Sequence, residues 1–493
     1  MSIIIAFLMS VLSAQWVTDN RTVPNEWLGQ WAGGFSQGWG SVCLVTGTIL
    51  FYWSLTRVTV KVLLGRMKRL GFRDHSTRRM QARTQFQLQG LILVLFAGQL
   101  TVGGWAGFIC LDLGLGGVAV LWEAALILPF IAMLLIKWDG LYAVNHFERG
   151  SLVSEQLAEG HATRPIWSKR QYMVFQIRHG LLLLLVPLLL IFGLRDLAQW
   201  AVDVWIGQTA GSLWIIEGVF TGVVVMVFIL SPLLLRYIWS TRSLPAGPLR
   251  ERLESFCRVL RMGYRDILLW DTYSAVANAA VMGVIRPVRY LLLSDALIEN
   301  MKDEEIEAVF GHEAGHVKHH HILFLVLSIV GFGMVAMAML QLVEKVWSGM
   351  AQGVARNSLV YGSGPIMMVT LVMLFGWISR RFEAQADVHA ALTVGKLDTA
   401  SNRQGDSQSP KGLRPHGAQV MGSALRRIAV LNGISAEGRS WRHGSISGRV
   451  AFLERLARED GLLNRFSRKV LVIKAAIVLS VILGGGGCWL LNN

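Results

Sequence analysis

Charge is scarce in this chain: only 16% of its 493 residues are Asp, Glu, Lys or Arg, while 53% are hydrophobic. Soluble domains carry about 25% charged residues, so the composition excludes an ordinary soluble protein. Cysteine is scarcer still, and Cys43, Cys110, Cys257 and Cys488 show no Cys-x-x-Cys spacing. Nothing therefore supports a disulfide framework or a cysteine-based zinc site. There is no internal repeat and no nucleotide-binding signature, which argues against an ATP-driven AAA machine in this chain alone.

Long apolar runs are present instead. Spanning helices are expected near residues 42–64, 90–111, 117–137, 180–197, 214–236, 322–343, 359–378 and 470–490, each close to or at the length that crosses a bilayer. The opening run Met1–Trp16 lacks a basic leader and a small-x-small cleavage site, and reads as a retained short span. Glu123 and Glu217 lie in apolar spans near their outer boundary and are expected to snorkel to the interface. The Gly484–Gly487 run permits close packing of the last span.

The loop after residue 64 carries Arg66, Lys68, Arg69, Arg73, Arg78, Arg79 and Arg83 against Asp74, which puts it on the cytoplasmic side. Counting spans forward makes 138–179, 237–321 and 379–469 cytoplasmic as well. The net charge of +15 is then explained by loops facing anionic lipid, with no need for a nucleic-acid partner.

Chemistry is concentrated in His312-Glu313-Ala314-Gly315-His316. Acidic residues at Asp303–Glu305 and apolar residues at helical spacing put this pentad on a helix, where histidines at i and i+4 share one face. Two neutral imidazoles supply two zinc ligands; a catalytic zinc takes a third protein ligand and leaves the fourth position to water. The best third candidate lies in Ser379-Arg380-Arg381-Phe382-Glu383-Ala384-Gln385-Ala386-Asp387. Glu383 could complete the site, and Asp387 could accept the second N–H of His312 or His316. A solvated charged helix face with ordinary i,i+4 pairing is the alternative. Lys318-His319-His320-His321 reads as an interfacial helix end rather than a further metal site, with His319 and His320 on other faces of the zinc helix.

On these motifs, with Ala277-Asn278-Ala279-Ala280-Val281-Met282-Gly283 before them and His443-Gly444-Ser445-Ile446-Ser447-Gly448-Arg449 after them, residues 245–460 resemble the integral-membrane zinc metallopeptidases that include HtpX and the type I CaaX prenyl-protein endopeptidases. The resemblance implies one Zn2+ per chain held by His312, His316 and Glu383, with Glu313 as general base. It implies that the Asn278 segment is an edge strand pairing with substrate backbone, and that His443 and Arg449 lie near the metal and help hold substrate or the oxyanion. His443 is the candidate oxyanion donor, and Arg380 is expected to orient Glu383 or Asp387. The family often has Pro after the late His, where this chain has Gly444. A polar insertion is expected between Gly395 and Gln419.

The fold expected is mainly α and polytopic, with about 8–9 transmembrane helices and a small α+β zincin-like domain at the cytoplasmic face. Helix is expected over 247–262, and strands over Tyr264–Thr272, Val276–Ile285 and Arg289–Leu293. The domains read as a transmembrane region 1–240, a peptidase domain 241–469 interrupted by 322–343 and 359–378, and an anchor 470–493. The expected activity is zinc-dependent hydrolysis of membrane-associated or misfolded proteins. A processing protease for a lipid-modified or peptide substrate, and a non-catalytic zinc-binding scaffold, remain open. Partners are protein or peptide substrates and the bilayer. The absence of a retention signal at Leu491-Asn492-Asn493 favours a bacterial inner membrane.

Overall fold

The computed structural model describes residues 3, 5–7, 9, 10, 13, 37–71, 74–115, 121–158, 166–207, 210–274, 276–347, 354–401, 413–438 and 440–492. The chain forms two compact units, Met1–Ser240 and Thr241–Asn493.

The first unit is built from long helices: α1 (Gln37–Leu70), α2 (His75–Leu100), α3 (Leu121–Ala158), α4 (Lys169–Trp205) and α5 (Ala210–Ile238). Asp74 starts α2 by accepting the Thr77 N–H at 2.9 Å, and a reciprocal Ser168–Gln171 capping box starts α4. The span expected at 90–111 is broken. Gly104 adopts φ +63°, and the chain bends by 59° into Trp105–Asp112. At Gly103 a side chain would meet the Gln99 carbonyl at 2.7 Å, so the break is written in the Gly103-Gly104 pair. Inside the unit, Asp139 takes Arg57 at 2.8 Å on one oxygen and Lys169 on the other. Glu123 is 1% exposed, so it does not reach the surface as its position in the span suggested.

The second unit holds a four-stranded sheet, β1 (Thr241–Ser243), β2 (Asp266–Trp270), β3 (Ala279–Met282) and β4 (Tyr290–Ser294), in the order β1-β2-β4-β3. β4 runs parallel to β2 and antiparallel to β3. Its Tyr-Leu-Leu-Leu-Ser run is buried at every position, as a central strand covered on both faces requires. β3, with β4 on one side, is an edge. β1 is only three residues long, too short for a period-2 pattern to mark it.

Helices α6 (Pro248–Val259), α7 (Asp295–Asn300), α8 (Asp303–Lys318), α9 (His321–Trp347), α10 (Val354–Ser401), α11 (Pro415–Leu431), α12 (Ile446–Arg458) and α13 (Leu462–Asn492) complete the unit. The core joins Leu253, Phe256, Leu291, Phe310, Leu425 and Leu453, all at most 4% exposed. α8 and α10 approach closely at glycines: a side chain at Gly311 would sit 3.2 Å from the Ala390 Cα, and one at Gly315 would sit 3.1 Å from the Ala386 Cα. α13 packs along α9, where a side chain at Gly484 would meet the Val335 nitrogen at 2.7 Å.

Among the described residues six helices are long and apolar enough to cross a membrane, and the bent α2 pair would make seven. The chain is thus a polytopic, mainly helical membrane protein with a small sheet. The segment expected to span at 359–378 lies in α10 but is not among the six. Most of Met1–Trp16, and residues 402–412 of the polar insertion, lie outside the described residues.

Candidate metal centre

The pentad occupies the last turns of α8, with the Glu305 carboxylate accepting the Lys302 N–H at 3.1 Å at the other end. His312 and His316 face the same way, their Nε2 atoms 3.2 Å apart. α10 brings Glu383 opposite, its Oε2 at 3.5 Å from His312 Nε2 and its Oε1 at 3.7 Å from His316 Nε2. One ligand atom from each of the three residues lies within 4.8 Å of the others.

Further partners surround these three. Asp387 Oδ1 stands 2.8 Å from His312 Nδ1. Arg449, on α12, grips Asp387 through Nε at 2.7 Å and Nη2 at 2.6 Å. His443 Nδ1 lies 2.9 Å from Glu383 Oε1, with nearly half of its side chain open. The guanidinium of Arg380, expected to orient Glu383 or Asp387, instead donates to the Trp441 carbonyl at 2.8 Å. It pins the loop that carries His443, and it is Arg449 that meets the Asp387 carboxylate.

Burial opposes charge throughout this site, and specific partners overrule it at Glu383, Asp387 and His312 but not at His316. Glu383 is held well below the ordinary carboxylate range against its burial, by hydrogen bonds from His312 and His443 and by the Arg449 charge. Asp387 is likewise lowered against burial by the charge and hydrogen bonds of Arg449. His312, despite burial, is raised to about 10 by Asp387 and Glu383. His316 is pushed down to about 4 by burial and by the charge of His312. Two imidazoles and a carboxylate converging in this way have the ligand types and number of a catalytic zinc site, and the residues fit a zinc ion.

Glu313 lines the same cavity of about 360 Å³, together with Asn278, Val281, Gly283 and His443. Its carboxyl is raised by burial and accepts a hydrogen bond from the Val281 N–H on β3. Ser294 N–H donates to the Asn278 carbonyl at 3.0 Å, so the alternation of an antiparallel ladder turns the backbone polar groups of Ala279 and Val281 outward. The Asn432 side chain caps Ala277 on that outer edge, accepting from its N–H at 3.1 Å and donating to its carbonyl at 2.8 Å.

Two residues without an assigned role in the sequence reading stand close to the pentad: His321, expected at an interfacial helix end, and Gln385. His321 Nδ1 is 2.9 Å from His316 Nδ1, and its Nε2 is 2.9 Å from Gln385 Oε1. A continuous helix would put His321 about 140° around from His316, since each residue turns about 100°. The helix ends at Lys318, His320 in the turn that follows takes φ +53°, and the break returns the ring. Nothing in the residue types signals that break.

Fold and site together define a class: a polytopic membrane protein carrying a metallopeptidase domain. Residues 244–416 match the family described as Peptidase family M48, and the chain carries a domain of that family. Its relatives include a Protease HtpX homolog of Bacteroides fragilis, 29% identical over 41% of this chain and 66% of that protein. A Protease HtpX of Xylella fastidiosa is 25% identical over 44% of this chain and 75% of its own length. The chain thus spans roughly two thirds to three quarters of these relatives. A looser likeness, with TM-score 0.42 and 16% identity, joins 83% of this chain to 98% of the crystal structure of S. mikatae Ste24p.

Proposed function

We propose that this chain is a membrane-embedded zinc metalloendopeptidase that hydrolyses peptide bonds of membrane-associated or misfolded proteins at the cytoplasmic face of a bacterial inner membrane. The observation that carries this reading is the convergence of His312, His316 and Glu383 with Glu313 in one cavity bordered by an open strand edge. Two-His-one-carboxylate coordination leaves a position for water, whereas a purely structural site has no use for the additional carboxylate of Glu313.

His312, His316 and Glu383 would hold the zinc, which when bound acidifies a water and polarises a carbonyl. The outward backbone groups of Ala279 and the outward carbonyl of Val281 pair with an extended substrate, the Val281 N–H being held by Glu313, and Asn278 lies at the start of that edge. Glu313 takes the proton of the attacking water and hands it to the leaving amine nitrogen. Arg449 neutralises Asp387, and Asp387 keeps the proton of His312 on Nδ1, which leaves Nε2 free to ligate. His443, held beside Glu383 with an open face, is available to donate to the developing oxyanion. The basic loops Arg66–Arg83 support the cytoplasmic orientation, and the bacterial sources of both relatives support the inner membrane.

The test compares wild type with Glu313→Gln, purified in detergent, for bound zinc and cleavage of casein. Zinc in both with cleavage by wild type alone is expected. Zinc in both without cleavage by either would favour a narrow-specificity processor or a scaffold, and zinc in neither would refute the reading.

A further inference from the structure

A histidine that ligates a metal through Nε2 keeps its proton on Nδ1, and the acceptor facing Nδ1 fixes both that tautomer and the ring's orientation. The two histidines of this centre face different acceptors. His312 faces the carboxylate of Asp387 at 2.8 Å. His316 faces another imidazole, His321, with the two Nδ1 atoms 2.9 Å apart.

The direction of that second contact follows from the next one. His321 Nε2 lies 2.9 Å from Oε1 of Gln385, and an amide oxygen only accepts. Nε2 of His321 therefore carries a proton, its Nδ1 presents a lone pair, and the proton between the rings belongs to His316. Nε2 of His316 is left as a lone pair aimed at His312 Nε2 and Glu383. We propose that His321, backed by Gln385, is a positioning residue of the metal centre: a neutral acceptor that fixes the tautomer and ring of His316, as Asp387 does for His312. The proposal rests on the zinc reading above and deepens it.

The surroundings are built for a fixed ring. His321 is 0% exposed and lies parallel to Phe382, with centroids 4.5 Å apart and planes 3° from each other. Phe382, Glu383, Gln385 and Asp387 all belong to α10. One helix thus provides a ligand, the carboxylate behind His312, and both the stacking surface and the terminal acceptor of the chain behind His316. The break at His320 makes this geometry possible while letting α9 begin at His321.

The test uses the full-length protein in detergent and reads zinc affinity by competition with a chromogenic chelator, with the visible spectrum of the cobalt(II) form as a second signature. His321→Phe keeps a ring against Phe382 and removes the acceptor. It is expected to weaken zinc roughly 10- to 100-fold and to alter the cobalt spectrum. His321→Asn restores an acceptor oxygen near the Nδ1 position and is expected to recover most of the affinity. Wild-type affinity and spectrum in a folded His321→Phe would overturn the proposal. If that variant does not fold, Gln385→Leu decides: weaker zinc supports the chain of acceptors, and unchanged zinc overturns it. Absence of zinc from the wild type would instead refute the zinc reading itself, so the two failures are distinguishable.

Discussion

Arg449 clamps Asp387 through two contacts of 2.6 and 2.7 Å, and Asp387, 1% exposed, carries that constraint to His312 at 2.8 Å. A buried carboxylate without its guanidinium is an uncompensated charge. Arg449→Met is therefore expected to destabilise the second unit by about 3–5 kcal/mol, read by thermal or denaturant unfolding in detergent. Arg449→Lys should recover only part of this, because an ammonium cannot make the two-point contact.

Glu383 is the anionic member of the donor set, flanked by His312, His316 and His443. Glu383→Gln is expected to remove most of the bound zinc, measured by elemental analysis after dialysis. Chelation of the wild type should abolish casein cleavage, and added zinc should restore it in the wild type but not in this variant.

Asp295, at the start of α7, accepts from Thr272 N–H at 3.1 Å, Ser274 N–H at 2.9 Å and Ala296 N–H at 2.8 Å. Burial pushes its pKa up, but these bonds and the Thr272 hydroxyl together hold it below the ordinary range. A folded-state pKa below the unfolded one, about 3.9, gives stability that is present above that pH and is lost as pH falls through the folded value. The wild type should lose stability faster than Asp295→Asn as pH drops from about 5 towards 3, measured by unfolding midpoints. Parallel curves would contradict this.

Gly315 lets α10 pass close to the pentad, with 3.1 Å between a would-be Cβ and the Ala386 Cα. Gly315→Val should force the helices apart at a cost of about 1–3 kcal/mol and reduce zinc content, because Glu383 moves with α10.

Asn432 completes both backbone polar groups of Ala277 at the end of the open edge. Asn432→Ala leaves them without that partner and is expected to cost about 1–3 kcal/mol and to raise KM for peptide substrates. An unchanged KM would separate Asn432 from substrate pairing.

Much of this was legible in the sequence for local reasons. His312, Glu313 and His316 are related by helical spacing alone, and Glu383 and Asp387 fall one turn apart on another helix, so their chemistry could be read before any fold was known. Composition and apolar run length marked a polytopic membrane protein for the same reason: bilayer thickness acts on each segment separately. Tertiary structure decided what depends on where segments meet. It gave Asp387 to His312 rather than His316, sent Arg380 to Trp441 and brought Arg449 to the carboxylate, because these pairings depend on how α8, α10 and α12 pack. It broke the span at Gly103-Gly104 and returned His321 to His316 through a single left-handed residue, His320. A left-handed residue of that kind breaks the helical path in one step, and the periodicity on either side of it does not record where the chain goes next.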